Sequence, residues 1–175
     1  MTKPIGLTIR PLGPGDWTEI DRIQRECFSE TVIEPRAVLQ SIAALSPGTC
    51  LVAGDEEILG YALAYPWTSE DLPPIQTGLT QLPPDARALF IHDVAVARSG
   101  RGRQIARHLV EHLLVWARAA GLRSGSLIAV QDSQTFWRRF GFSERADLTA
   151  RFHHPVSAHY RVPFAFMTAD LTTPD

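Results

Sequence analysis

The hydrophobic pattern of this chain changes its period most clearly within residues 89–115. Residues 89–97 are apolar except for His92 and Asp93, and β-branched side chains recur, as in a strand buried on both faces. A turn with two glycines follows, and from Arg103 onward the apolar side chains recur with the period of a helix. The pattern therefore predicts a buried strand, a glycine turn and a long amphipathic helix.

Apolar runs outside this stretch predict the remaining elements. Strands are expected at 7–12, 49–53, 58–65, 126–130, 142–146 and 160–171, and helices after Asp16, near Pro35 and within 131–142. The Gly54-Asp55 turn predicts that the second and third strands are antiparallel neighbours. The segment from Pro66 to Arg87 contains five prolines and is too long for an ordinary connection. It is either a mobile surface excursion or a lid beside a substrate, and the sequence leaves both open.

Bulk composition is that of an ordinary globular protein. The 175 residues fit one domain, 1–175, with 45% hydrophobic and 21% charged residues. A net charge of −2 gives no reason to expect a nucleic-acid partner. No apolar run is long enough for a signal peptide or a membrane span, so a cytoplasmic protein is expected, and a homodimer stays open. The chain has two cysteines, Cys27 and Cys50, and no C-x-x-C pair, so we expect neither a disulfide framework nor a structural zinc site.

The glycine turn has the features of an anion-binding site. A strand that passes through a turn into a helix directs unpaired N–H groups and the positive end of the helix dipole at one point. Arg98, Arg101 and Arg103 add cations around it. A Walker A loop would end in Gly-Lys-Ser/Thr, which is absent, and a dinucleotide fingerprint starting at Gly100 fails at Ile105. A basic surface turn without a ligand is the remaining alternative.

One metal motif occurs within the predicted helix. Residues His108, Glu111 and His112 match the H-x-x-E-H pattern of a class of zinc proteases. That chemistry requires a third ligand from another element and a groove open to water. Because both histidines flank the apolar side of the helix, we interpret them as packing residues and expect no metal.

The turn resembles motif A of the GCN5-related N-acetyltransferases, whose pattern is Gln/Arg-x-x-Gly-x-Gly/Ala. Residues 101–106 read Arg-Gly-Arg-Gln-Ile-Ala, so the first and last positions agree and Gln104 stands at the usual glycine. The family also has an aromatic pair, three residues and Gly-Phe, which matches residues 136–142. The predicted order of strands and helices matches over nearly the whole chain.

The resemblance implies an α/β (α+β) acyl-CoA N-acyltransferase fold. This fold has a mixed, mostly antiparallel seven-stranded sheet, about four flanking helices, and a splay between strands 4 and 5 where acetyl-CoA enters. The backbone of the strand before the turn would bind the pantetheine arm, the turn would bind the pyrophosphate, and the short aromatic helix would line the thiol end. Carried over by position, these cofactor-binding residues are Val94, Ala95, Val96, Arg101, Gly102, Arg103, Gln104, Ile105, Ala106, Ser133, Phe136 and Trp137.

The implied reaction is direct attack of a primary amine on the thioester of acetyl-CoA. Asp93 is the expected catalytic base, with His92 second, because both interrupt an apolar strand at the splay. Neighbours on a strand face opposite sides, so at most one is expected to face the substrate. Asp93 could equally serve only to position nearby backbone. Trp137 stands where many members have the tyrosine that acts as the acid, and the possible substitutes are Tyr160, His153 and His154.

The acceptor and the alternative function follow from the same residues. The amine would belong to an unidentified small molecule or peptide. Charged residues in the expected walls have both signs, so neither a cationic nor an anionic amine is favoured: Glu34, Arg36, Asp71, His153 and His154. Because Trp137 replaces the usual acid, a non-catalytic acyl-CoA-binding sensor on the same fold is the alternative.

Overall fold

One mixed seven-stranded sheet organises the fold in the computed structural model, which describes residues 6–172. The strand order is β1-β2-β3-β4-β5-β7-β6. The strands are β1 (Thr8–Pro11), β2 (Cys50–Gly54), β3 (Ile58–Trp67), β4 (Ala88–Val96), β5 (Ser124–Val130), β6 (Ser143–Glu144) and β7 (Phe164–Asp170). The helices are α1 (Trp17–Cys27), α2 (Arg36–Leu45), α3 (Ile105–Ala119), α4 (Gln134–Arg138), α5 (Ala146–Arg151) and α6 (His153–Tyr160).

The helices divide between the two faces of the sheet. Helix α3 packs on one face because its buried side chains, among them Ile105, Leu109 and Leu113, recur every three or four residues. The aromatic side chains of α4 join the same cluster. The other face is covered by α1, α2, α5 and α6, and its cluster includes Ile20 and Leu39. None of the helices within 6–172 is long and apolar enough to span a bilayer.

Most of the predicted architecture is confirmed. The β2–β3 hairpin is antiparallel, and β4–β5 is the parallel pair in an otherwise antiparallel sheet. Gly121 follows the C-terminus of α3 with a φ of +75°, the left-handed conformation common there.

The expectation of about four helices is wrong, because the described residues form six α-helices. The two additional helices, α5 and α6, lie between the last two predicted strands, where the sequence pattern predicts no element. Leu148, Phe152 and Val156 are spaced four residues apart and are all buried against the sheet. This short helical stripe explains why α5 and α6 form, and the last strand consequently begins at Phe164 instead of residue 160.

The predicted splay between β4 and β5 is present. The two strands pair only where Ala88–Ile91 lies beside Ser124–Leu127. On the other side of β4, Asp93 pairs with Leu63 whereas Ile91 pairs with Ala64, so His92 is the extra residue of a β-bulge. The bulge therefore occurs directly after the last β4–β5 pair, where the strands separate.

The proline-rich segment 66–87 packs against the face that carries α2. Its Leu79 side chain is buried, and the Leu79 N–H donates a hydrogen bond to Ser41 Oγ at 2.8 Å. The Gln76 N–H donates to Glu34 Oε1 at 2.8 Å. The segment is thus a packed support and contributes no side chain to either of the clefts described next.

Candidate active site

A cleft of about 980 Å³ extends along α3 from its N-terminal turn to Arg118 in its last turn. Its walls come from the turn before α3, the exposed side of α3, and α4, and its guanidinium groups are those of Arg101, Arg107, Arg118 and Arg139. Two carboxylates also line it, Asp170 and Glu111, and Glu111 bonds Arg107 at 2.7 Å. At the N-terminal end of the cleft, Arg101 lies beside the positive end of the helix dipole, which suits an anion such as a phosphate group.

The backbone of the turn is shaped to present its N–H groups. Gln104 is the N-cap of α3, has no side-chain cap hydrogen bond, and adopts the left-handed conformation at φ 59° and ψ 20°. Gly102 has a φ of +80°. The N–H groups of the first helical turn have no intrahelical acceptor. Gln104 thus adopts a conformation that glycine reaches without strain, in agreement with the glycine of the motif A pattern at this position.

We expect Gln104→Gly to be at least as stable as the parent protein and Gln104→Val to lose about 1 kcal/mol of unfolding free energy. The left-handed conformation strains any residue with a Cβ, and β-branched residues most. Urea unfolding of the three proteins measures the difference. Equal destabilisation by both substitutions would contradict this account of the turn.

A second cleft of about 300 Å³ occupies the gap between β4 and β5. It shares Val96, Arg101, Ala106 and Phe136 with the first cleft, so the two form one continuous channel. The channel runs from the α3 turn, through the gap, to the sheet face covered by α1 and α6. A ligand with phosphates at one end and a narrow arm at the other fits this shape.

The edge of β4 that faces the gap carries backbone groups without a strand partner. Ala97 N–H donates to Leu59 O of the preceding strand at 2.8 Å. N–H groups alternate along a strand, so Val94 and Val96 point theirs toward the gap, where β5 has diverged. The Cys27 thiol donates to Val96 O at 3.2 Å from the end of α1. The N–H groups at 94 and 96 are therefore available to pair with an extended ligand.

His92 and Asp93 lie on the same face of the sheet. His92 contacts the rings of Tyr65 and Phe90, with centroids 6.0 and 6.4 Å apart, and Asp93 Oδ2 accepts a hydrogen bond from Tyr61 Oη at 2.9 Å. The expectation that at most one of them faces the substrate assumed that neighbouring side chains alternate along the strand, and that assumption is wrong here. The bulge at His92 shifts the alternation by one residue, so both side chains line the second cleft.

His92 forms a buried ion pair with Glu34, whose side chains are 6% and 3% exposed respectively. Burial opposes the charge on His92, but the Glu34 carboxylate beside it raises the pKa to about 9. Burial likewise opposes ionisation of Glu34, yet the His92 charge and hydrogen bonds keep its pKa below the ordinary value. Gln24 holds Glu34 further by accepting from its backbone N–H at 3.1 Å. At neutral pH the pair is an imidazolium and a carboxylate.

Asp93 is the carboxylate at the splay. Burial raises its pKa to about 6, and the His92 cation limits that rise. Its Oδ2 atom is bonded to Tyr61, whereas Oδ1 accepts no hydrogen bond from residues 6–172. A carboxylate with this pKa is largely ionised at neutral pH and can still accept a proton, as a general base must.

The comparisons with known proteins agree with this geometry. Residues 17–142, more than half of the chain, match the model of the acetyltransferase (GNAT) family. The chain belongs to this family. Searching the curated protein sequences gave no match.

Solved structures share the fold over 81–97% of this chain. Ard1 from Thermoplasma volcanium has a TM-score of 0.70 at 16% identity, with 97% of this chain and 100% of that chain covered. Arabidopsis thaliana Naa50 in complex with the bisubstrate analogue CoA-Ac-MVNAL has a TM-score of 0.63 at 14% identity, covering 81% and 85%. N-acetylglutamate synthase from Neisseria gonorrhoeae, complexed with coenzyme A and N-acetyl-glutamate, has a TM-score of 0.68 at 13% identity, covering 95% and 35%.

The residues expected to bind CoA in a GNAT protein mostly lie along the channel. The lining includes Val94, Ala95, Val96, Arg101, Gly102, Gln104, Ile105, Ala106, Ser133, Phe136 and Trp137. Arg103 lies on the turn but lines neither cleft. The Trp137 indole packs edge-on against Phe136 and Phe142, with ring centroids 5.0 and 5.7 Å away. The aromatic motif thus builds the core as well as the channel wall.

The three residues that could replace the missing acid, Tyr160, His153 and His154, lie in different places in the structure. Tyr160 lines the second cleft, and burial together with Glu34 and Asp93 raises its pKa far above the ordinary value. His153 and His154 are exposed on α6 and do not line that cleft. Of the three, only Tyr160 lies where the reaction would occur.

The H-x-x-E-H residues have no metal-binding arrangement. His108 Nδ1 lies 3.6 Å from Glu111 Oε2, and Glu111 also bonds Arg107. Within the described part of the chain, no group of three or more His, Cys, Asp or Glu side chains could hold a metal ion.

Several residues that line the cleft or bond its catalytic candidates were not identified as site residues from the sequence. Glu34, which pairs with His92, was considered only as a charge in a wall, and Tyr61, which bonds Asp93, was treated only as part of a strand. Cys27 and Gln131 line the cleft. Gln131 fastens the loop after α1 across the gap, since its side chain accepts from Ser29 N–H and donates to Cys27 O. No local signal marks these residues, because each contact joins positions far apart in the chain.

Proposed function

We propose that this protein transfers the acetyl group of acetyl-CoA to a primary amine by direct attack in a ternary complex. The observation that carries the proposal is the continuous channel, which leads from the cationic α3 turn, along the unpaired edge of β4, to a buried carboxylate. Membership of the GNAT family and neighbours solved with CoA-containing ligands support it. Acetyl-CoA would be a co-substrate.

The turn and the strand edge would each bind one part of acetyl-CoA. The N–H groups of Gly102 and residues 104–106, together with the Arg101 guanidinium, would bind the pyrophosphate, and Arg107 or Arg139 would reach the 3′-phosphate. The backbone of Val94 and Val96 would pair with the pantetheine amides. A β4 N–H group directed into the gap would stabilise the oxyanion of the tetrahedral intermediate.

Asp93 is the better base of the two candidates. His92 is already protonated at neutral pH because Glu34 raises its pKa, so it has no free lone pair to take a proton. Asp93 has an ionised carboxylate with an unbonded oxygen. We therefore assign Asp93 as the group that removes a proton from the incoming ammonium, directly or through water.

The bond changes of the reaction balance without a further reactant. The amine nitrogen forms a bond to the acetyl carbonyl carbon, the carbon–sulfur bond breaks, and CoA leaves as a thiolate. One ammonium proton goes to Asp93 before attack, and the second reaches the thiolate through solvent. Tyr160, which stays protonated, would donate a hydrogen bond to the thioester or the departing sulfur.

Acetyl-CoA incubated with the protein and a panel of amines tests the proposal. We expect release of CoA thiol that depends on the amine and appears together with an N-acetylated product in mass spectrometry. The panel should include small amines and peptides with a free α-amino group. Tight CoA binding without turnover on any amine would contradict the proposal and favour the acyl-CoA sensor.

A further inference from the structure

We infer that the acceptor side of the cleft selects a primary ammonium group on an uncharged, apolar stem. Amines that carry a carboxylate beside the amino group would be rejected. The acceptor side is the part of the second cleft on the face covered by α1 and α6, and its residues are Phe28, Val32, His92, Asp93 and Tyr160. The inference rests on the proposed function and names its substrate class.

Apolar side chains form the walls around the acidic floor. Phe28 and Val32 come from the segment between α1 and α2, and Ile128 comes from the diverging strand β5. The Tyr160 ring closes the opposite side. The whole gap measures about 300 Å³, part of which the pantetheine arm would fill, so the acceptor must enter as a narrow stem.

The charges on the acceptor side leave one carboxylate without a cation. His92 is neutralised by Glu34, which is buried directly behind it. Asp93 is bonded to the neutral Tyr61 hydroxyl and to no Lys or Arg within residues 6–172. Arg101 is the one Lys or Arg side chain in the cleft lining, and it lies at the end shared with the phosphate cleft. The local charge therefore attracts an ammonium and repels a second carboxylate.

The cations that the sequence analysis placed in the expected walls, Arg36, His153 and His154, lie outside the second cleft. Arg36 donates a hydrogen bond to Asp21 Oδ2 at 2.8 Å on the outer surface of α1 and α2. His153 and His154 are exposed on α6, with His153 beside the Phe164 ring. None of the three lines the second cleft. The expectation that neither sign of charge is favoured no longer holds once these side chains are placed.

The rim of the acceptor side is fixed by contacts between distant segments. Thr31 Oγ1 donates to the backbone carbonyl of Tyr160, and Gln76 Nε2 donates to Thr31 O at 3.0 Å. Gln131 fastens the start of the same loop to the end of β5. The walls are thus held in place, which makes discrimination by charge and shape effective without a rearrangement.

A matched pair of amines tests the inference: 2-phenylethylamine and L-phenylalanine, which differ by the carboxylate. We expect kcat/KM with acetyl-CoA to be about tenfold to a hundredfold higher for 2-phenylethylamine, from the repulsion of two partly buried carboxylates. The amine of phenylalanine is the less basic of the two, so its slower reaction could not result from greater protonation. A peptide with N-terminal phenylalanine is assayed beside 2-phenylethylamine. If the peptide has the higher kcat/KM, the preferred acceptor is a peptide; if 2-phenylethylamine has the higher kcat/KM, the preferred acceptor is a small amine.

Phe28→Arg provides a second measurement, because it adds a cation to the acceptor wall. The ratio of kcat/KM for phenylalanine over 2-phenylethylamine should rise about tenfold in this variant. Equal or faster acetylation of phenylalanine by the parent protein would overturn the inference while acetyl transfer itself stands. No turnover of any amine, with CoA bound, would overturn the proposed function and the inference together.

Discussion

Replacement of Asp93 by Asn should reduce kcat by about a hundredfold to ten-thousandfold, the range usual for loss of a general base. The amide has the size of the carboxylate, and its oxygen can still accept the hydrogen bond of Tyr61, which lies 2.9 Å from Asp93 Oδ2. The variant should therefore fold and bind acetyl-CoA normally. Steady-state thiol release at saturating acetyl-CoA and amine measures the effect.

The pH dependence separates a base from a residue that only positions the backbone. The pKa of Asp93 is raised to about 6, so the base is ionised above that pH and becomes protonated below it. The kcat/KM of the parent protein should consequently fall as the pH decreases through about 6. In Asp93→Asn the residual rate should lack this acidic limb.

Asp85→Asn is the matched control, since Asp85 is an exposed carboxylate of the proline-rich segment and lines neither cleft. It should retain the kcat and the pH profile of the parent protein. If Asp93→Asn keeps at least half of the parental kcat with the acidic limb unchanged, Asp93 is a structural residue and another group removes the proton.

The strand, turn and helix around residues 89–115 could be predicted because their signals are local. The period of apolar residues gives the element type, and the glycines and arginines give the turn its chemistry. The sequence also shows that Gln104 stands at the usual glycine of motif A, although it does not show that this residue adopts the left-handed backbone conformation. Where a signal is this dense, the sequence is sufficient to predict the strand, the turn and the helix.

The acceptor side could not be predicted in the same way. The bulge at His92 depends on how β3 pairs with β4, and it places the side chains of His92 and Asp93 on the same face of the sheet. The contact between His92 and Glu34 joins residues 58 positions apart. Helices α5 and α6 were missed because each is too short to show a periodic pattern of its own. Such features arise from tertiary packing, which local patterns do not encode.

Glu34→Ala should lower the free energy of unfolding by about 3–5 kcal/mol at neutral pH, the usual cost of removing one partner from a buried ion pair. The loss removes the counter-charge that keeps the buried His92 protonated, so the imidazole must give up its proton, and it leaves the Gln76 N–H, which donates to Glu34 Oε1 at 2.8 Å, without an acceptor. Urea unfolding of the variant and the parent measures the difference. Glu34→Gln, which keeps the size and one acceptor, should lose less.

The pH dependence of this loss identifies the ion pair as its cause. Because Glu34 raises the pKa of His92 to about 9, the stability from that shift is fully present below the ordinary His pKa and disappears as the pH rises through about 9. The difference in unfolding free energy between the parent protein and Glu34→Ala should therefore become smaller between pH 7 and pH 9.5. Glu19→Ala, which breaks an exposed pair with Arg22 at 2.8 Å, should cost less than about 0.5 kcal/mol at either pH. If Glu34→Ala is no more destabilising than Glu19→Ala, the buried pair does not hold the acceptor side together.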